Sequence, residues 1–152
     1  MPRPPSYQRP ERDFKPGRVD KWGDHVPSAE EVASRVQYGG SGKHKNYPAP
    51  HREWEPVLRP GTSGCARFDQ SEWPRLVETL REAIRRSCVQ LDPQKEFPTR
   101  VWAYINGKLH EAKITNQGNG EYHGFPLEYA SQEPDDPHDL LRNAPRVTIR
   151  VV

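Results

Sequence analysis

Long apolar runs are missing from this chain. No stretch is long enough to span a membrane or to form the core of a signal peptide, so a cytoplasmic protein with no membrane partner is expected. Cysteine is nearly absent. Cys65 and Cys88 have no metal-ligand spacing to each other or to the six histidines, and reduced thiols are expected of them in the cytoplasm. A metal site built from His44, His51, Cys65 and Cys88 is poor for the same reason, and neither a metal nor a cofactor is expected. An excess of one charge is missing too. Lys and Arg total 23 against 21 Asp and Glu, a net +2 at neutral pH, so overall charge does not by itself demand a polyanionic partner. Apolar residues make up only 32% of the chain, which leaves little for a core.

Proline, by contrast, is plentiful and unevenly spread: ten of the 17 fall in residues 1–60. That shift places a boundary near Thr62–Arg67. Before it, the chain has too little apolar surface to offset the entropy of ordering. Residues 1–36 read as a disordered Pro-rich tail with one short helical candidate at Ser28–Arg35, where Ser28 and Glu31 have capping-box spacing. Residues 37–66 read as a basic, glycine-containing arm. Residues 67–152, about 85–90 positions, hold most of the large apolar side chains and suit a small domain.

Within that domain a helix is expected from Ser71 to Cys88. Asp69 or Ser71 serves as cap and Pro74 sits in the first turn, where its missing N–H does no harm. Trp73, Leu76, Val77, Leu80, Ala83, Ile84 and Cys88 make one apolar face, and Glu78, Arg81, Glu82, Arg85 and Arg86 the charged one. Asn106-Gly107 between two β-prone runs predicts a tight hairpin, because both turn positions need positive φ. Strands are expected over Arg100–Ile105, Lys108–Thr115, Glu121–Leu127 and Arg146–Val152, with a looser turn at Asn116–Gly120 and a short helix at Asp136–Arg142. The fold class is α+β: one main amphipathic helix on a three- to four-stranded, mostly antiparallel sheet.

A two-residue turn pairs Ile105 with Lys108, Tyr104 with Leu109, Ala103 with His110, Trp102 with Glu111, Val101 with Ala112 and Arg100 with Lys113. Opposed residues share a face. Val101, Ala103, Ile105, His110, Ala112 and Ile114 would face the helix. Arg100, Trp102, Tyr104, Leu109, Glu111 and Lys113 would face solvent, and if Asn116–Gly120 are all loop, His123 joins them opposite Lys113. Such a group has the parts of metal-independent RNA cleavage, with Glu111, Lys113 and His123 as the catalytic candidates. A carboxylate takes the 2′-hydroxyl proton, a cation steadies the phosphate and an imidazole protonates the leaving oxygen. Arg100, Trp102 and Tyr104 would bind substrate, the two aromatics as stacking platforms for bases. The plainer reading is a solvated sheet face with ordinary cross-strand pairs.

The stretch Tyr38-Gly39-Gly40-Ser41-Gly42-Lys43-His44-Lys45 is not a nucleotide-binding P-loop. Gln37 stands where the first glycine belongs, His44 replaces the magnesium-binding hydroxyl, and Pro48 and Pro50 forbid the following helix. Lys43, His44, Lys45, His51 and Arg52 nevertheless crowd into ten residues. This Gly-Lys-His-Lys pattern, followed by Pro and His and then by a helix and an antiparallel sheet, resembles the bacterial toxin ribonucleases of the barnase–EndoU–colicin–RelE type. The resemblance spans Gly39–His51 and the coarse element order. It implies an RNA-cleaving toxin domain, RNA as partner, a neutralising protein, and Lys43, His44 and Lys45 as active-site contributors. As a basic arm folded over a phosphate, Lys43, His44, Lys45 and His51 would bind substrate. The other reading is a non-enzymatic protein-interaction or nucleic-acid-binding module, in which Arg3-Pro4-Pro5 and Tyr47-Pro48-Ala49-Pro50 are displayed to a partner or scaffold protein.

Overall fold

The computed structural model describes residues 15–39 and 68–150. It is an α+β arrangement with two short elements ahead of the main helix and six strands in one mixed sheet. Helix α1 (Ala29–Ala33) begins where the capping spacing places it: the Ser28 side chain accepts from the Glu31 amide. Strand β1 (Gln37–Tyr38) follows. Helix α2 (Trp73–Arg85) is preceded by a 3-10 turn at Gln70–Glu72, which Asp69 caps through the Ser71 amide. It ends earlier than the periodicity suggests. Ser87 takes φ 60°, and the Ser87 and Cys88 amides donate back to Ile84 and Ala83, the closing pattern usually given to glycine.

The strands β2 (Val89–Gln90), β3 (Arg100–Ile105), β4 (Lys108–Asn116), β5 (Glu121–Pro126) and β6 (Arg146–Val147) complete the set. The sheet order is β1-β5-β4-β3-β2, with β6 also on β3. The β2–β3, β3–β4 and β4–β5 pairs are antiparallel, whereas β1–β5 and β3–β6 are parallel. The sheet is therefore larger and more mixed than expected. The C-terminal strand is shorter, and the expected helix at Asp136–Arg142 is a 3-10 turn at Leu140–Asn143. All six hairpin pairs from Arg100–Lys113 to Ile105–Lys108 are present. Asn106 and Gly107 carry φ 54° and 78°, as the turn requires.

Two apolar layers sandwich the sheet. On the α2 side, Leu80, Ala83, Ile84, Val101, Ala112 and Tyr122 pack together with Trp22, Val32, Ala33 and Val36. Reading all of residues 1–36 as tail is thus corrected for Lys15–Val36: Val19, Trp22, Val32, Ala33 and Val36 are core residues. Arg85 also reaches Glu30, tying α2 to α1 across the surface. The second layer, on the far side of the sheet, joins Val19, Trp102, Leu109, Phe125 and Leu127. Among the described residues no helix is long and apolar enough to cross a membrane.

Candidate functional site

Strand alternation brings the three catalytic candidates together. Lys113 on β4 lies opposite His123 on β5, Glu111 is two residues along the same face, and Arg100 on β3 is the cross-strand partner of Lys113. A register shift between Ile114 and Asn116 absorbs the odd residue of the second turn and keeps His123 on this side. The face is not open to solvent, which corrects the expectation. Trp102 and Glu111 are 0% exposed, and Leu109, His123 and Phe125 are also buried. The cover is the segment Lys15–Asp20. The Gly17 backbone rests on the Trp102 indole, and Val19 enters the same cluster.

Beneath it the polar groups satisfy one another. The Trp102 indole donates to Glu111 Oε1 at 3.0 Å. Glu111 Oε2 lies 3.5 Å from the Arg100 guanidinium, an ion pair rather than a hydrogen bond, so this oxygen is neutralised yet accepts no hydrogen bond. Arg100, whose side chain is 15% exposed, donates at 2.7 Å to the Lys15 carbonyl. Burial pushes the Glu111 carboxyl above its ordinary range, against the pull of Arg100 and Lys113. Burial likewise holds Lys113 below the usual lysine range, with Glu111 opposing. His123 Nδ1 shares a 2.8 Å hydrogen bond with Thr115 Oγ1. The Lys113 ammonium stands 5.7 Å from the centre of the Phe125 ring.

Neither expected stacking platform is free. Trp102 is sealed, and Tyr104 is half-buried with the Arg146 guanidinium 4.0 Å above its ring. His110 sits on the α2 side as expected. Its Nδ1 donates to the Lys108 carbonyl, its ring lies 5.7 Å from Phe68, and burial lowers its pKa. The hollow between α2 and the sheet beside His110 measures about 30 Å³, room for a water-sized body and far below the size of a nucleotide site. Cys88 is a buried free thiol whose pKa is pushed up to about 12 by desolvation, which removes it as a nucleophile. Lys43, His44, Lys45, His51, Arg52 and Cys65 lie outside the described residues. No cluster of potential metal ligands occurs among the described residues.

Sequence reasoning missed Gly17, Val19, Asp20 and Gln90, which build the cover. Val19 is a single apolar residue in a polar run, and no periodicity marks it. Comparison with known protein families, curated proteins and solved structures returns no match for the chain.

Proposed function

We propose that this chain is a non-enzymatic protein-interaction module, in which a small α+β domain displays Pro-rich segments to a partner domain. Full burial of Glu111 supports the reading. A general base must come within hydrogen-bond reach of the proton it removes, and this carboxylate is fully buried against Trp102 and Arg100. The group behaves as a buried ion-paired network that pins strands β3 and β4 and the cover together. Arg3-Pro4-Pro5 and Tyr47-Pro48-Ala49-Pro50, outside the described residues, carry proline spacing suited to the extended geometry that aromatic grooves recognise. Isotope-labelled protein titrated with a proline-recognising domain of that kind should show shifts confined to residues 3–5 and 47–50. Shifts confined to the folded residues, or none at all, overturn the reading.

The opposition of Lys113 and His123, with Glu111 beside them, favours a second reading. Here the chain is a metal-independent endoribonuclease that works only with the cover displaced. Purified protein incubated with mixed RNA in EDTA separates the two. Cleavage that Glu111→Gln abolishes supports the ribonuclease and refutes the module. Intact RNA refutes the ribonuclease.

A further inference from the structure

The cover itself is an unusual piece of chain. Lys15–Asp20 reads Lys-Pro-Gly-Arg-Val-Asp, in which Val19 is the one large apolar residue. It is attached mostly through its backbone. The Val19 amide donates to the Asp135 carbonyl, the Asp135 amide to the Gly17 carbonyl, and the Asp20 amide to the Val89 carbonyl. The Arg18 amide reaches the Gln90 side chain, and Arg100 holds the Lys15 carbonyl. Both bridges, Arg18 with Asp135 and Asp20 with Val89, are isolated and do not extend into a strand.

Under this thin cover lies Trp102, whose indole donates to Glu111 Oε1, while Glu111 Oε2 is buried with the Arg100 guanidinium at 3.5 Å and no hydrogen bond. Arg100, which pairs with this oxygen, also holds the Lys15 carbonyl, so the cover and the ion pair share one guanidinium, and lifting the cover returns solvent to a group that burial disfavours. The lifting is local, because α2, β4 and β5 keep their own pairing and the α2-side cluster does not include Val19.

We propose that Lys15–Asp20 is a displaceable strap, which opens as a unit while the sheet and α2 stay folded and so uncovers the Trp102–Glu111 face. The open form presents an indole, a carboxylate and the Arg100 and Lys113 cations on one strand pair. The ribonuclease reading requires this opening, whereas the opening requires neither reading of function and is tested without RNA or a partner.

Native-state hydrogen exchange on the full chain tests it directly. The amides of Val19, Asp20 and Asp135 should exchange at least about tenfold faster than those of Ile114 and Leu127, which pair with Thr99 and Leu109, and with little dependence on denaturant. A single shared rate for both sets, rising together with denaturant, overturns the proposal. A variant of the chain uses the close approach of Gly17, where a Cβ would stand 2.6 Å from Trp102 Cζ2. Gly17→Val should strip protection from Val19, Asp20 and Asp135 and leave Ile114 and Leu127 protected. Loss of protection at all five, or at none, overturns it as well.

Discussion

Asn106 does two jobs, and glycine at this position separates them. The residue takes φ 54° in the hairpin turn. Its side chain also brackets Ile149: Oδ1 accepts from the Ile149 amide at 2.8 Å, and Nδ2 donates to the Ile149 carbonyl at 2.9 Å. The turn thus holds a segment 43 residues away in the manner of a neighbouring strand. Asn106→Gly keeps the turn, since glycine adopts positive φ freely, and removes both bonds. Two partly buried hydrogen bonds contribute about 1–3 kcal/mol together, and the added freedom of glycine in the unfolded chain costs about 0.5–1 kcal/mol more. Relief at the turn returns a few tenths. The expected loss is about 1.5–3 kcal/mol, a fall of roughly 5–15 °C in Tm for a domain of this size. Urea denaturation with an unchanged slope measures it. Asn106→Asp sharpens the test by placing a carboxylate oxygen against the Ile149 carbonyl, which raises the folded pKa of the new group. Its deficit should therefore be large at neutral pH and shrink as pH falls through that pKa, where a protonated carboxyl donates again. If Asn106→Gly is as stable as the parent chain, the bracket contributes nothing and the reasoning fails.

Leu80, buried in the α2-side cluster, should cost about 2–4 kcal/mol when changed to Ala, whereas Arg81→Ala, which removes a pair with the exposed Glu78, should cost less than about 0.5 kcal/mol by thermal denaturation. Because burial raises the folded pKa of Glu111, its contribution to stability is fully present below the ordinary carboxylate range and is lost as pH rises through the raised value. Parent stability minus that of Glu111→Gln should accordingly decline across that window; a rising or flat difference means that Arg100 and Lys113 outweigh burial. His110 runs the other way: burial lowers its folded pKa, so its contribution is present above about pH 6.5 and lost as pH falls, and His110→Asn should flatten that slope in Tm measured between neutral and mildly acid pH.

The hairpin was legible because its signals are local. Asn-Gly sets the turn, a two-residue turn sets the register, and the register assigns every side chain from Arg100 to Lys113 to a face. Helix α2 was legible from its 3.6-residue apolar spacing and its start from Asp69 and Pro74, but not its end. Ser87 occupies the left-handed closing position where the rule expects glycine, and its hydroxyl accepts from the Trp22 amide, a partner 65 residues away. The short helix at Ala29–Ala33 was visible through Ser28 and Glu31. What local pattern did not show was that this helix belongs to the domain. Val19, Trp22, Val32, Ala33 and Val36, scattered among prolines and charges, make no compositional signal.

That omission changed the meaning of the candidate site. With residues 1–36 read as tail, nothing is available to cover the side bearing Arg100, Trp102, Glu111 and Lys113, whose mixed charges read as a solvent face. Val19, the one member of that layer from before Arg67, closes it over Trp102, Leu109, Phe125 and Leu127, with the half-buried Leu140 and Leu141 packed alongside. A tryptophan and a glutamate that alternate with apolar positions then become buried partners. Trp102 keeps its indole N–H satisfied because Glu111 accepts it, and Arg100 and Lys113 beside Glu111 oppose the burial that raises its pKa. The Glu111 and Lys113 that belong to a catalytic cluster in solvent belong to a structural network when covered. Six residues of strap, of which only Val19 is large and apolar, decide between the two. The chemistry of this face is therefore set by how often Lys15–Asp20 lifts from Trp102.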